Sequence, residues 1–122
     1  EENRKYSDTL IYKVWEIIDY FNPELWFLEN PLSTLKDREV MKDKPLYIVD
    51  YCRYSDWGYR KRTCIWTNKK DWDALICDGQ GSCGNMIKKK HKTDVSKDVG
   101  GGTNRLERYR VPEDLIYSLF LD

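Results

Sequence analysis

Residues Leu25–Pro31 read LWFLENP. Four large apolar side chains run without a break into a carboxylate, an amide and a proline. A short run that is apolar on both faces belongs inside a covered, mainly parallel sheet, so the pattern predicts a strand over Leu25–Glu29. In an open α/β sheet, ligands collect beyond the carboxyl ends of the strands. Glu29 and Asn30 would then stand at a functional edge. Pro31 would fix the exit direction and bring no N–H to satisfy. Read locally, the same residues also make an ordinary exposed turn.

The flanks extend this strand into an α/β pattern. Leu10, Ile11, Val14, Trp15, Ile17, Ile18 and Phe21 fall at spacings of three and four and predict a helix over Tyr6–Phe21. Ser7 or Asp8 is expected to cap its start, and Asn22-Pro23 to end it, since the residue before proline is pushed out of the α region. Downstream, Pro31–Lys44 is polar and predicts a loop with a helical turn. LYIVDY (Leu46–Tyr51) and TCIWT (Thr63–Thr67) predict two more strands, pairing antiparallel across the turn-rich Arg53–Lys61. After Asn68 the periodicity fades. A helical turn is expected at Asp71–Leu75, then a long loop rich in Cys and Lys, with Gly100-Gly101-Gly102 as a flexible joint. Pro112 suits the first position of a last helix, with Glu113 and Asp114 in its first turn.

A chain of 122 residues, 40% hydrophobic and 34% charged, is the size and composition of one globular domain. Twenty-one Lys and Arg balance 21 Asp and Glu, so net charge announces no nucleic-acid partner, and any such contact must come from a local patch. Lys88, Lys89, Lys90 and Lys92 are that patch, with Lys97 beyond and Lys69 and Lys70 before. Such lysines supply salt-dependent phosphate contacts without reading sequence. Interspersed aspartates, Asp71, Asp73, Asp78, Asp94 and Asp98, equally suit a solvated loop. No run of about 18 apolar residues predicts a membrane span, and no signal peptide is visible, so an intracellular setting in the cytoplasm or a host nucleus is expected. The four cysteines then read as thiols or metal ligands rather than disulfides. Cys77, Cys83 and His91 make a candidate zinc set, with Cys64 or Asp78 as a fourth ligand. Cys52, beside Arg53, reads as a structural thiol.

The order of motifs carries a resemblance. Glu29-Asn30-Pro31, then Tyr51-Cys52-Arg53-Tyr54, then Lys61-Arg62-Thr63-Cys64-Ile65-Trp66-Thr67-Asn68, then Arg110-Val111-Pro112-Glu113-Asp114-Leu115 resemble the cytosine-C5 DNA methyltransferases, most closely their phage and virus members. The likeness runs from about Leu10 to the end. It implies the C-terminal half of a doubly wound, Rossmann-like sheet with an antiparallel strand pair: one partial domain with a helix-and-sheet portion (1–68), a loop-rich insertion (69–108) and a C-terminal helix (109–122). It implies methyl transfer from S-adenosylmethionine to carbon 5 of a flipped cytosine. Glu29 would hold the Watson–Crick edge of that base, and Arg62 would contact the base or organise its loops. The family's second arginine falls here on Cys64. The region carrying Lys88–Lys92 would grip DNA. The family's glycine-rich cofactor turn and its Pro-Cys nucleophile precede the Glu-Asn strand, and residues 1–24 contain neither. This chain alone is therefore expected to be inactive, needing a missing N-terminal half or a partner subunit. The competing readings are a stand-alone nucleic-acid-binding or interaction module without catalysis, and a small structural protein in which Glu-Asn-Pro is only a turn.

Overall fold

The central strand is the last of three to appear in the chain. In the computed structural model, which describes residues 2–95 and 105–121, β3 (Arg62–Thr67) lies between β1 (Phe27–Pro31) and β2 (Leu46–Asp50) and is antiparallel to both. The register sets Leu28 and Ile48 beside Trp66 and Cys64 on one face, and Phe27, Tyr47 and Val49 beside Thr67, Ile65 and Thr63 on the other. Successive strand residues alternate between faces, and each face has its own helix.

Helix α1 (Glu2–Phe21) covers the first face. Trp15 packs with Val40, Met41, Cys64 and Trp66. Its indole N–H donates to the Val40 carbonyl at 2.9 Å, so the bulky ring is buried without an orphaned donor. The intervening 3₁₀ turns, Thr34–Asp37 and Glu39–Met41, deliver Val40 and Met41 to this contact. Helix α3 (Glu113–Phe120) covers the second face with Leu115 and Leu119 against Val49, Tyr51 and Ile65. Between these helices lie a two-residue-strand hairpin, β4 (Met86–Ile87) with β5 (Lys90–His91), and a short helix α2 (Arg105–Tyr109). The sheet is thus covered on both sides.

Several expectations shift. The predicted helix begins earlier, at Glu2, so Ser7 and Asp8 lie inside it. Asp8 instead receives Arg38 across the first face, at 2.6 Å. The helix does end at Asn22, which takes a left-handed φ of 46°, a conformation Asn tolerates better than most side chains. The first strand starts two residues later than expected and pairs antiparallel. Among the described residues no parallel strand pair occurs, so a doubly wound parallel sheet is not what these strands form. The expected helical turn at Asp71–Leu75 is absent. Asp71 has a φ of 55°, the Leu75 N–H donates to the Tyr54 hydroxyl, and the Leu75 carbonyl accepts the Asp50 N–H. The Gly100–Gly102 joint, with Lys97 and Asp98, lies outside the described residues. Among those described, no helix is long and apolar enough to cross a membrane.

The late motif Thr67-Asn68 ties the entry of β1 to the exit of β3. The Thr67 hydroxyl donates to Trp26 O at 2.7 Å, and Asn68 bridges Trp26 N–H and the Glu24 carbonyl. On α1, Tyr6, Leu10, Ile17 and Phe21 form an apolar stripe beside the buried one, each at least half exposed.

An eight-residue helix does not stand alone in water, so α3 depends on its packing. Leu115→Ala is expected to cost about 2–5 kcal/mol of unfolding free energy, read as a lower urea midpoint with an unchanged slope.

Candidate functional site

Three consecutive residues, the last of β2 and the two that follow it, organise one end of the sheet. Asp50 points to the α1 face, Tyr51 to the α3 face, and Cys52 leaves in the 3₁₀ turn Tyr51–Arg53.

Asp50 is fully buried. Its carboxylate accepts the Arg62 guanidinium as a fork, at 3.0 and 2.9 Å, the Cys77 backbone N–H at 2.8 Å and Arg60 at 3.4 Å. Burial alone would raise the Asp50 carboxyl. The Arg62 hydrogen bonds, the Cys77 N–H and the charges of Arg60 and Arg62 outweigh it, and the net shift is downward. Arg62, expected at the base, is therefore committed to Asp50. It still lines the cleft described next.

Glu29 faces α3, in register with Ile65. Its Oε2 accepts the Tyr51 hydroxyl at 2.6 Å. β3 lies between β1, which carries Glu29, and β2, which Tyr51 directly follows. Burial first, and then the bond to Glu29, push the Tyr51 phenol far above its ordinary range, so it stays a donor. Lys61 stands over the Tyr51 ring, 5.3 Å from its centroid, and donates to the Arg108 carbonyl. Burial lowers the Lys61 ammonium, partly opposed by the charge of Glu29. Glu29, Asn30, Pro31, Lys61, Arg108 and Tyr109, with Arg60 and Arg62, line a cleft of about 600 Å³. It offers one oriented carboxylate among cationic walls. Tyr51 and Lys61 stood in the quoted motifs without a site role, and Asp50 was not singled out from sequence. The contact of Tyr51 with Glu29 exists only because β3 inserts between β1 and β2.

The other late motifs support the same end. Arg110 stacks 3.9 Å over the Trp57 ring, and Trp57 meets both Tyr51 and Tyr59. The Tyr59 hydroxyl donates to the Glu107 carbonyl at 3.2 Å.

Cys77, Cys83 and His91 do come together, and Cys52 joins them: the four ligand atoms lie within 4.8 Å of one another. His91 Nε2 is 3.6 Å from Cys77 Sγ and 3.7 Å from Cys83 Sγ. The expected fourth ligands are elsewhere. Cys64 packs with Trp15 and Trp66 under α1, and the Asp78 carboxylate is turned to the Gln80 N–H and the Ser82 hydroxyl. Burial, then the neighbouring Cys77 and Cys83, push the Cys52 thiol upward, which is unlike an exposed nucleophile. A Cys/His set of this kind can hold a tetrahedral ion.

Asn85 locks the cluster to the sheet. It is buried, and its amide donates to the carbonyls of Cys52 and Ser55, both at 2.8 Å, while its oxygen accepts the Gly58 N–H at 2.9 Å. Gly58, at a φ of 89°, lies so close to Thr93 that a Cβ would sit 2.8 Å from the threonine hydroxyl. Beyond Asn85, Lys88 takes a φ of 57° in the turn of the β4–β5 hairpin. Lys88, Lys89, Lys90 and Lys92 are all exposed.

Because the folded Asp50 carboxyl is lowered, its contribution is present above the unfolded value and is lost as pH falls through the folded one. Stability is expected to decline below about pH 4. Asp50→Asn should lose about 2–3 kcal/mol at neutral pH and flatten that acid limb, as measured by urea titrations across pH.

No sequence-family model matches the chain, and no solved structure does. It is 41% identical over 118 residues to a protein of Frog virus 3 (isolate Goorha) described as a probable DNA (cytosine-5)-methyltransferase. The match covers 90% of this chain and 55% of that protein, so the chain spans about half the length of the curated relative it matches. This likeness over nearly its whole length supports a relation to the cytosine-C5 DNA methyltransferase family.

Proposed function

We propose that the chain is the C-terminal portion of an S-adenosylmethionine-dependent DNA cytosine-5 methyltransferase, supplying the target-base pocket and DNA contacts. The observation that carries the reading is the Glu29 carboxylate, held by the Tyr51 hydroxyl inside a cleft with cationic walls. Attack at carbon 6 of cytosine places negative charge on the ring, and a proton at ring nitrogen 3 offsets it. A carboxyl at that edge accepts from the exocyclic amine and, when protonated, supplies that proton. Tyr51 fixes which Glu29 oxygen faces the base. Arg60, Lys61 and Arg108 suit the phosphates that flank an extruded nucleotide. Arg62 acts through Asp50, holding the strand ends rather than touching the base.

The residues before β1 contain no glycine-rich turn and no Pro-Cys. This reading gives cofactor binding and the nucleophile to an N-terminal half or a partner subunit, and routes neither through this chain. Two features support a docking place for it: the edge of β1, which no strand among the described residues pairs, and the exposed stripe Tyr6, Leu10, Ile17 and Phe21 on α1. DNA as substrate is in keeping with action inside a host cell, in cytoplasm or nucleus.

The lysine hairpin alone also suits a nucleic-acid-binding module without catalysis, and one pair of variants separates the two readings. With the N-terminal half present, Glu29→Gln is expected to cut methyl transfer by about 100-fold or more and leave DNA affinity nearly unchanged. Tyr51→Phe should cause a smaller loss in turnover. Turnover equal to the parent in Glu29→Gln would discard the base-holding role and favour the module. Alanine at Lys88, Lys89 and Lys90 together should weaken binding evenly across DNA sequences and flatten its salt dependence by about 3 units of log–log slope at most, read by fluorescence anisotropy.

A further inference from the structure

We infer that Cys52, Cys77, Cys83 and His91 form a structural zinc centre that fastens the lysine hairpin to the strand end carrying Tyr51. Zinc–sulfur bonds of about 2.3 Å and zinc–nitrogen bonds of about 2.0–2.1 Å, set at tetrahedral angles, separate a thiolate sulfur from an imidazole nitrogen by about 3.6 Å. The observed separations from His91 Nε2 are 3.6 and 3.7 Å. Four donors also complete the shell, which is the composition of a structural site rather than a catalytic one. Three soft sulfurs and an imidazole select zinc over magnesium or calcium.

The surroundings are those of a ligand shell. The Gly79 N–H points at Cys77 Sγ at 3.3 Å, and the Asn85 N–H at Cys83 Sγ at 3.4 Å. Such donors orient thiolates and spread their charge. Asn85 then donates to the carbonyl of Cys52, coupling the ligand in the turn after β2 to the ligands from the loop.

The segment also needs a fastening. From Ile76 to Val95 only Cys77 and Asn85 are buried, and Ile76 and Ile87 are exposed. Burial of side chains therefore supplies little to hold about 20 residues in place, and a closed metal shell supplies what a core would. The ligands come from both sides: Cys52 follows Tyr51 directly, and His91 lies on β5 between Lys90 and Lys92. The centre thus joins the Glu29 cleft to the cationic hairpin. It stands on the cluster geometry alone and does not rest on the methyltransferase reading.

The test is metal analysis of the purified protein. One zinc per chain is expected, with a Kd below about 100 nM in competition with a chromophoric chelator. Cobalt(II) in its place should give the intense visible bands of a tetrahedral site and thiolate-to-cobalt charge transfer. Cys52→Ser should weaken zinc binding by at least about tenfold, whereas Cys64→Ser should leave stoichiometry and affinity unchanged. Chelation of the parent protein should open residues between Cys77 and Thr93 to limited proteolysis while β3 amides keep their protection from exchange. A folded protein that takes up no zinc, an octahedral cobalt spectrum, a disulfide among these cysteines, or equal losses from Cys52→Ser and Cys64→Ser would overturn the centre. Cleavage unchanged by chelation would overturn its fastening role. Each readout is independent of methyl transfer.

Discussion

The carboxylate of Asp50 is the constraint around which the rest is arranged. A fully buried carboxylate is tolerated only when charge and hydrogen bonds replace its water. Here they come from two separate pieces of chain: Arg60 and Arg62, just before and at the start of β3, and the Cys77 backbone in the following loop. Satisfying one side chain therefore sets the relation of β2, β3 and the Cys loop. The two residues that follow inherit this placement. Tyr51 is aimed at Glu29 and Cys52 at the thiol cluster because Asp50 is fixed.

Much of the fold was legible because it follows local rules. The three-and-four spacing of α1, the β-branched and aromatic runs at Leu46–Tyr51 and Thr63–Thr67, and their antiparallel pairing appear where their residues say, while Pro112 caps α3 from one residue before its expected place in the first turn. The expected parallel pairing does not occur among the described strands, for a physical reason. An unbroken apolar run reports that both faces of a strand are covered, and α1 and α3 do cover them. Coverage carries no information about strand direction. Asp71–Leu75 failed differently: its backbone groups find partners on Tyr54 and Asp50, and these long-range bonds outweigh a weak helical preference.

The site was legible only where it is local. Glu29 stands out as a carboxylate ending an apolar run, and Cys77, Cys83 and His91 are near in sequence. Their partners are not. Tyr51 reaches Glu29 from 22 residues away, and all of β3 separates Cys52 from Cys77 along the chain. Arg62 looked available for a ligand because sequence could not reveal that its register partner is a buried aspartate. Zero net charge was similarly uninformative: the balance of 21 and 21 holds for the whole chain, while Arg60, Lys61, Arg62 and Arg108 line one cleft.

The strand order β1-β3-β2 has a kinetic consequence. Neither outer strand can pair with the other, so both remain open until the third is available. The pairs that close β1 join Phe27 to Thr67 and Pro31 to Thr63. These are loops of more than thirty residues whose closure entropy comes before any ladder bond repays it. On a ribosome, the first half of this chain would emerge as a helix and two unpaired strands. The sheet, the burial of Asp50 and the meeting of Tyr51 with Glu29 would then arrive nearly together, as one late and cooperative event.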